Sequence, residues 1–244
     1  MRYRIRLAYK GTNYHGWQKQ HNALGVQSVL DEKLSLLLHQ SIETLGCGRT
    51  DTGVHAQMYY AHFDSENTID CNKLIFKLNQ TLPSDIAIQE IVPTHNNFNA
   101  RFDAEWREYE YWIITEPNPF LHDFAWYQYG YLDIGSMNNA AKILLGKNDF
   151  ECFSKVHTQV NNFICDVMLA RWQHKNDKLV FTIRANRFLR NMVRAIVGTL
   201  LQVGRGKLNE NDVRKILDSK NRCEAGQSVP AKGLHLTDVF YSNN

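Results

Sequence analysis

The sequence has few cysteines, no long apolar run and no strong excess of charge. Its five cysteines, at 47, 71, 152, 165 and 223, are odd in number and include no C-x-x-C pair. This pattern is typical of reduced thiols and argues against a disulfide framework or a cysteine zinc site. No run approaches the roughly 18 apolar residues of a membrane span, and the first residues (MRYR) place charges where a signal peptide needs an apolar core. We therefore expect a cytoplasmic protein with no membrane partner.

The net charge of +3 is too small to identify a partner, but its distribution is uneven. Between 184 and 207 there is no acidic residue and there are six basic ones, namely Arg184, Arg187, Arg190, Arg194, Arg205 and Lys207. Such a segment attracts polyanions, because each neutralised phosphate releases condensed counterions. A solubilising basic surface explains the same charges equally well.

Hydrophobic periodicity predicts that both halves of the chain mix strands and helices. Apolar residues alternate with arginines over the first ten positions, as in a half-buried strand. Further strands are predicted near 58–63, 86–91, 105–115, 164–173, 178–185 and 235–241, and helices near 25–40, 72–78, 136–145, 187–203 and 209–219. Hairpin-like neighbours favour α+β halves with antiparallel or mixed sheets over a doubly wound parallel sheet.

The densest group of chemically useful residues lies in the glycine-rich segment 45–56 (LGCGRTDTGVHA). Its three glycines predict a tight loop between a helix and a strand. The loop presents the carboxylate of Asp51 two residues after Arg49, and it matches neither a dinucleotide-binding motif nor a P-loop. A structural turn capped by Asp51 is an equal alternative. Asp51 and His55 are also candidate metal ligands, although no second ligand cluster is evident.

A second candidate is the segment 186–198 (NRFLRNMVRAIVG), which we predict to be helical. Arg187, Arg190 and Arg194 would then line one helix face at i, i+3 and i+7. Arg194 lies at the edge of the apolar stripe, where a guanidinium needs a partner such as a carboxylate. An exposed basic face is the alternative.

A third candidate is the predicted strand 107–113 (REYEYWI). Tyr109 and Tyr111 share one face of it, where two tyrosine rings are able to stack on a base. Packing in the core is the simpler explanation for both rings.

Residues 48–56 closely resemble the signature of the bacterial tRNA pseudouridine synthase A family, usually G-R-T-D-A-G-V-H. Five further blocks resemble the family in order, at 14–20 (YHGWQKQ), 98–111 (FNARFDAEWREYEY), 148–153 (NDFECF), 186–198 and 233–236 (GLHL). The sequence departs from the family at Thr52, where alanine is common, and at Lys10, where aspartate is usual. Both departures concern loop contacts and leave the catalytic residues unchanged.

The resemblance implies the pseudouridine synthase fold, with two similar α+β subdomains that we place at 1–104 and 105–244. It implies a homodimer that holds RNA in a basic cleft and isomerises uridines 38, 39 and 40 of the tRNA anticodon stem-loop to pseudouridine. No cofactor and no metal are expected. The uracil must be detached, turned over and rejoined through C5, so the target nucleotide has to be flipped out of its stack first.

The resemblance also assigns roles to individual residues. Asp51 would act as a nucleophile at C1′ or as the base that removes the C2′ proton, and the sequence does not decide between these. Arg194 would keep Asp51 ionised by an ion pair, and Tyr109 would stack on the uracil and help remove the C5 proton. The implied RNA contacts are Arg49 for a phosphate, Phe98, Asn99, Ala100, Arg101 and Phe102 for base flipping, and His157, Thr158, Gln159, Val160 and Asn161 in a tRNA-binding loop.

Two other functions are compatible with parts of this pattern. A non-catalytic RNA-binding protein of the RRM-like kind is also α+β, basic and aromatic, but it has no need of Asp51. A metal-dependent hydrolase would use Asp51 and His55, and it would lose activity in excess chelator.

Overall fold

A computed structural model describes residues 1–155 and 162–242 of the chain. The chain forms two compact units: unit 1 comprises Met1–Glu105 and Leu236–Asn244, and unit 2 comprises Trp106–His235. The first boundary lies one residue from the expected end of the N-terminal subdomain. The residues from Leu236 onward belong to unit 1, whereas the sequence placed them with the second half. Unit 1 is therefore discontinuous in sequence.

Every strand and helix predicted from the sequence is present. Within the described residues the strands are β1 (Arg2–Tyr9), β2 (Leu45–Gly46), β3 (His55–Asp64), β4 (Ile86–Thr94), β5 (Trp106–Ile114), β6 (Trp126–Tyr127), β7 (Gly146–Asp149), β8 (Ile164–Lys175), β9 (Lys178–Ala185) and β10 (Leu234–Phe240). The α-helices in the same ranges are α1 (Val26–Leu38), α2 (Cys71–Thr81), α3 (Ile134–Lys142), α4 (Met192–Gly204) and α5 (Glu210–Ser219). None of the helices described is long and apolar enough to cross a membrane.

Unit 1 is built on a sheet with the strand order β4-β1-β3-β10, and β2 pairs with β3. β1 lies antiparallel to both of its neighbours. Its odd-numbered residues, from Tyr3 to Tyr9, are buried and its arginines are half-buried, which confirms the predicted alternation. The Tyr3 hydroxyl accepts the Ile69 N–H at 3.0 Å. Ile69 lies two residues before α2, and α2 packs on β4, so the apolar face of β1 is the face that meets this helix.

Unit 2 has the strand order β5-β9-β8-β7, with β6 added to β5. The three pairings along the main path are antiparallel, and β5–β6 is parallel. α3 packs on β8 and contacts α4 and α5. An α+β fold with antiparallel and mixed sheets flanked by helices is thus confirmed.

One predicted helix begins later than the sequence indicated. α4 starts at Met192 and not near 187, because Asn191 adopts the left-handed conformation with φ 68° and ψ 0°. A left-handed residue does not continue a right-handed helix. Arg187 and Arg190 therefore precede the helix, and the prediction that they line one helix face with Arg194 is wrong.

Candidate active site

The loop that carries Asp51 connects β2 to β3 in unit 1. The sequence predicted a loop between a helix and a strand, and the short strand β2 lies between α1 and this loop. Asp51 is half-buried, and its neighbours Thr50 and Val54 are buried. The Val54 N–H donates to the Asp51 carbonyl at 3.1 Å, and Gly53 between them has φ 78°. The backbone around the carboxylate is therefore a closed turn with a buried residue on each side.

Three buried aromatic rings support this turn: Tyr9, Trp17 and Tyr59. Trp17 stacks on Tyr59 with ring centroids 4.1 Å apart, and Tyr9 packs against Tyr59 at 5.5 Å. The Tyr9 hydroxyl hydrogen-bonds Thr50 Oγ1 at 2.8 Å, and the Tyr59 hydroxyl donates to the Gly48 carbonyl. Buried hydrogen bonds of this kind are costly to leave unmade, so the aromatic cluster fixes the loop in place.

Two glycines allow the segment before α1 to lie directly on the loop. A methyl group at Gly16 would lie 2.1 Å from the Thr50 carbonyl oxygen, and one at Gly11 would lie 2.0 Å from the Val54 carbonyl oxygen. Gly16 also has φ 84°, which glycine adopts without strain. The family-like block 14–20 is therefore the backbone partner of the Asp51 loop.

His55 has a structural role in the same loop. It is 2% exposed, and its Nδ1 accepts the Gly11 N–H at 3.1 Å. Across residues 1–155 and 162–242, no group of three or more His, Cys, Asp or Glu side chains is placed to hold a metal ion. The described residues thus offer Asp51 and His55 no further metal ligands.

Arg49 lies on the outside of the loop. It is exposed, and its Nε donates to Gln18 Oε1 at 3.3 Å. This weak contact with an uncharged group leaves the positive charge of Arg49 available to a phosphate.

The segment 98–102 forms a surface turn with an inner and an outer set of side chains. Phe98 and Ala100 are buried, at 5% and 0% exposed, whereas Phe102 is 74% exposed and Arg101 is exposed. The Asn99 Oδ1 accepts the N–H groups of Arg101 and Phe102 at 3.0 and 3.1 Å. The Arg101 guanidinium lies over the Phe102 ring, 5.4 Å from its centroid. Arg101, Phe102 and part of Asn99 are the members of this set with surface to offer to RNA.

Three side chains from elsewhere in unit 1 hold this turn. Arg2 Nη1 donates to the Phe98 carbonyl at 2.8 Å, and the Tyr241 hydroxyl donates to the Ala100 carbonyl at 2.6 Å. The Ala100 N–H donates to Nδ1 of His62 at 3.1 Å. Burial lowers the pKa of His62, and the nearby charge of Arg2 lowers it further. These three residues were not predicted as part of the site, and the one signal in the sequence is a histidine within the apolar run of β3.

Tyr109 and Tyr111 of β5 are placed differently in unit 2. Tyr111 is fully buried, its hydroxyl donates to the Pro230 carbonyl at 2.7 Å, and burial raises its pKa. Tyr109 is half-buried and packs edge-on against Phe188, with centroids 5.0 Å apart. Core packing thus accounts for Tyr111, while Tyr109 keeps exposed ring surface.

Arg194 lies in the first turn of α4 and is half-buried. Its Nε donates to the Val229 carbonyl at 2.7 Å, and the Val229 N–H donates back to the Arg194 carbonyl at 3.3 Å. The segment 225–230 presses closely on the helix, since a methyl group at Gly198 would lie 1.9 Å from the Gln227 carbonyl oxygen. The backbone of unit 2 therefore fixes one edge of the Arg194 guanidinium.

Known proteins are similar in sequence to this chain along nearly its whole length. A family model described as tRNA pseudouridine synthase matches residues 6–103 and 140–242. The chain belongs to this family. It is similar to tRNA pseudouridine synthase A of Parabacteroides distasonis, with 48% identity over 241 residues that cover 98% of this chain and 96% of the relative. The corresponding protein of Bacteroides thetaiotaomicron is 48% identical over 98% of this chain and 90% of its own length, and that of Colwellia psychrerythraea is 38% identical over 100% and 95%.

Membership of the pseudouridine synthase family confirms the resemblance found in the sequence. As a pseudouridine synthase the chain is an isomerase, and the comparisons give no support to an RRM-like binding protein. Of its candidate catalytic residues, Asp51 belongs to unit 1, and Tyr109 and Arg194 belong to unit 2. The candidate tRNA-binding residues His157, Thr158, Gln159, Val160 and Asn161 lie outside the described residues.

Proposed function

We propose that the chain isomerises uridines 38, 39 and 40 in the anticodon stem-loop of tRNA, with Asp51 as its catalytic carboxylate. The observation that carries this proposal is the Asp51 loop itself. Its sequence resembles the family signature, and buried hydroxyls and close glycine contacts hold its backbone. A loop held in this way keeps a reactive group oriented before substrate arrives.

The reaction rearranges bonds within one nucleotide and needs no external redox partner. The N1–C1′ bond breaks, a C5–C1′ bond forms, C5 loses a proton and N1 gains one. Asp51 either attacks C1′ directly or removes the C2′ proton to give a glycal, and both routes require an ionised carboxylate. The resemblance to the family implies Arg194 as the cation that pairs with this carboxylate, and a guanidinium is suited to that role. Tyr109 stacks on the uracil and assists removal of the C5 proton.

The exposed residues of unit 1 supply contacts to the RNA. Flipping a nucleotide out of a stack costs a few kcal/mol, and a group that occupies the vacated position offsets part of that cost. Arg101 and Phe102 are the exposed side chains of a firmly anchored turn, which suits them to this role. Arg49 binds a phosphate, and residues 157–161 contribute further tRNA contacts.

We further infer that the protein is cytoplasmic, as its cysteine pattern indicates, and that it forms a homodimer, as its resemblance to the family implies. Light scattering of the purified chain over a range of concentrations measures its molar mass directly. A mass that stays at the 28.3 kDa of one chain would contradict the dimer.

The test of the proposed function compares the wild-type protein with Asp51→Asn on unmodified tRNA transcripts, without added metal. Pseudouridine is mapped by carbodiimide treatment and primer extension. We expect stops at 38–40 with the wild type and none with Asp51→Asn, while both bind tRNA, because the substitution removes charge but little shape. Glu66→Gln, which removes one exposed carboxylate elsewhere in unit 1, should behave as wild type. Modification of other positions alone would contradict the assignment to 38–40, and full activity of Asp51→Asn would contradict the catalytic role.

A further inference from the structure

The arginines of β1 project from the face opposite to its buried residues, and they are not equivalent. Arg2 donates two hydrogen bonds to the Asp64 carboxylate, both at 2.8 Å, and a third to the Phe98 carbonyl. Its fork of donors is therefore occupied within unit 1. Arg2 therefore has a structural role, in contrast to Arg4 and Arg6.

Arg4 and Arg6 are only partly satisfied by their neighbours. Arg4 reaches Glu90 Oε2 at 3.4 Å, which is long for a charge-assisted hydrogen bond, and its guanidinium lies 5.5 Å from the centroid of the Tyr60 ring. Arg6 hydrogen-bonds the Tyr60 hydroxyl. Among the described residues, neither the Arg4 nor the Arg6 Nε has a hydrogen-bond partner, and both atoms are buried. Buried donors are normally paired. Other rotamers of Arg4 and Arg6 would therefore allow these side chains to form more hydrogen bonds.

The charge around these two arginines is unbalanced. Asp64 is neutralised by Arg2, and burial keeps His62, beside Arg4 in the register, uncharged at neutral pH by lowering its pKa. Glu90 lies opposite Arg6 in the register of β1 with β4 and is the same carboxylate that Arg4 approaches. Two guanidinium groups therefore lie near the one carboxylate of Glu90, which leaves this pair of arginines with an excess of positive charge.

The spacing of the two arginines suits a polyanion. Alternate residues of a strand lie about 6.6–6.8 Å apart, a distance comparable to that between successive phosphates of one nucleic-acid strand. A single free phosphate is usually held by converging donors, whereas these two are arranged along a line. The guanidinium fork forms paired hydrogen bonds with phosphate oxygens through Nε and Nη together. A change of rotamer that exposes each Nε would satisfy both donors at once.

We propose that Arg4 and Arg6 form a binding site for two neighbouring phosphates of the RNA backbone, on the arginine-bearing face of the unit 1 sheet. The site is additional to Arg49 and to the 98–102 turn. It rests on the proposed function for the identity of the RNA, and it contributes affinity rather than sequence preference, since phosphate contacts carry no base information.

The experiment measures tRNA binding by fluorescence anisotropy over a series of potassium chloride concentrations. The double variant Arg4→Gln/Arg6→Gln should lower affinity at low salt on the order of 10-fold, and it should reduce the slope of log affinity against log salt by about 1.4–1.8. Arg4→Lys/Arg6→Lys keeps both charges and should retain most of the slope. The matched control is Lys73→Gln/Lys77→Gln, which removes two exposed charges from α2, on the other side of the sheet, and should leave the slope unchanged.

An unchanged slope in the folded arginine double variant would overturn the proposal, as would an equal loss in the lysine control. Inorganic phosphate at ionic strength matched with chloride separates RNA from a free anion. If the double variant binds inorganic phosphate less tightly than the wild type but keeps the wild-type salt slope for tRNA, the site holds a free anion, and the RNA assignment is wrong.

A second measurement needs no variant. Phenylglyoxal modifies accessible arginines, and bound tRNA should protect Arg4 and Arg6 in the wild-type protein, as mapped by mass spectrometry. Absence of protection would overturn the proposal even if the glutamine variant does not fold. Binding is measured separately from turnover. If the wild type binds tRNA without forming pseudouridine, the proposed function is refuted, but the binding and protection experiments on Arg4 and Arg6 remain valid.

Discussion

The Asp51 loop and the 98–102 turn are both held in place by side chains from other elements of unit 1, but the anchoring groups differ in their chemistry. Each places a charged residue, half-buried Asp51 or exposed Arg101, directly after a buried residue, and both are held by hydrogen bonds from β-strand side chains. The Asp51 loop is held by the tyrosine hydroxyls of Tyr9 and Tyr59. The turn is held in part by a neutral histidine, His62. A tyrosine hydroxyl ordinarily carries no charge through the physiological pH range, whereas His62 gains a proton once the pH falls far enough below 6.5.

Because the anchors differ, we expect the Asp51 loop and the 98–102 turn to respond independently to mutation and to pH. If the anchors act as described, loss of a hydroxyl beneath Asp51 slows the chemistry, and loss of an anchor beneath Arg101 weakens the handling of RNA. A variant that changes both properties together would show that the two regions are one cooperative unit.

The largest effect is expected from Gly16→Ala. The new methyl group would lie 2.1 Å from the Thr50 carbonyl oxygen at φ 84°, so the Asp51 loop must move. We expect a loss of at least about 2 kcal/mol in the free energy of unfolding and a severe loss of turnover. Urea denaturation and single-turnover kinetics measure the two losses. Gly48→Ala is the control in the same loop, because no atom lies within 4 Å of its added methyl group; similar damage from both variants would contradict the role of close packing.

The next largest effect is expected from Tyr9→Phe and Tyr241→Phe, which should change different kinetic parameters. Each removes one hydroxyl from a hydrogen bond, at 2.8 Å to Thr50 and at 2.6 Å to Ala100, and each should cost about 1 kcal/mol of stability. Tyr9→Phe should lower the rate of the chemical step at saturating tRNA. Tyr241→Phe should chiefly raise the KM for tRNA. The comparison between the two regions fails if both variants change the same kinetic parameter.

A smaller effect is the pH dependence that His62 confers on stability. Its pKa in the folded protein is lowered from 6.5 by burial and by Arg2, against opposing effects of Asp64 and Asp103. The unfolded chain therefore binds the proton first. Stability is complete above about pH 6.5 and decreases as the pH falls below it, by no more than about 1.4 kcal/mol per pH unit.

Urea denaturation between pH 5 and 8 tests this dependence for the wild type and for His62→Gln. A glutamine oxygen is also able to accept the Ala100 N–H, but glutamine does not titrate. The variant should show a flatter profile. An unchanged profile would mean that another group produces the dependence.

The smallest effect on stability is expected from Phe102→Ala. The side chain is 74% exposed, so the free energy of unfolding should change by less than about 0.5 kcal/mol, while the KM for tRNA rises several-fold. Phe76→Ala, at 67% exposed on α2, is the control and should change neither property. Equal kinetics for the two variants would remove Phe102 from the RNA contacts.

The sequence predicted the elements whose hydrophobic pattern is unambiguous. β1 alternates over its full length, and α1 has a clear helical period, so both were placed within two residues. The start of α4 was not predictable in this way. Asn191 is compatible with a helix interior by propensity, and its left-handed conformation follows from the fold around it, where its Nδ2 donates to Ser228 Oγ.

The candidate site was predicted only at its exposed and motif-bearing residues. Asp51 stands in a recognisable motif, whereas Tyr9 and Tyr59 look like ordinary strand residues and act through hydroxyls whose partners are distant in sequence. Phe98 and Ala100 were grouped with Arg101 because they are adjacent along the chain. Burial separates them, and burial depends on partners such as Tyr241, which lies 141 positions from Ala100.

The return of the chain to unit 1 through β10 has a consequence for biosynthesis. A nascent chain that has emerged as far as His235 contains all of unit 2, but unit 1 still lacks the strand that lies beside β3. Tyr241, which holds the 98–102 turn, emerges later still. Although domains that are contiguous at the N-terminus usually fold first on the ribosome, here the second unit is able to complete its fold earlier. The 98–102 turn is then able to complete its hydrogen bonds only after the whole of unit 2 has emerged.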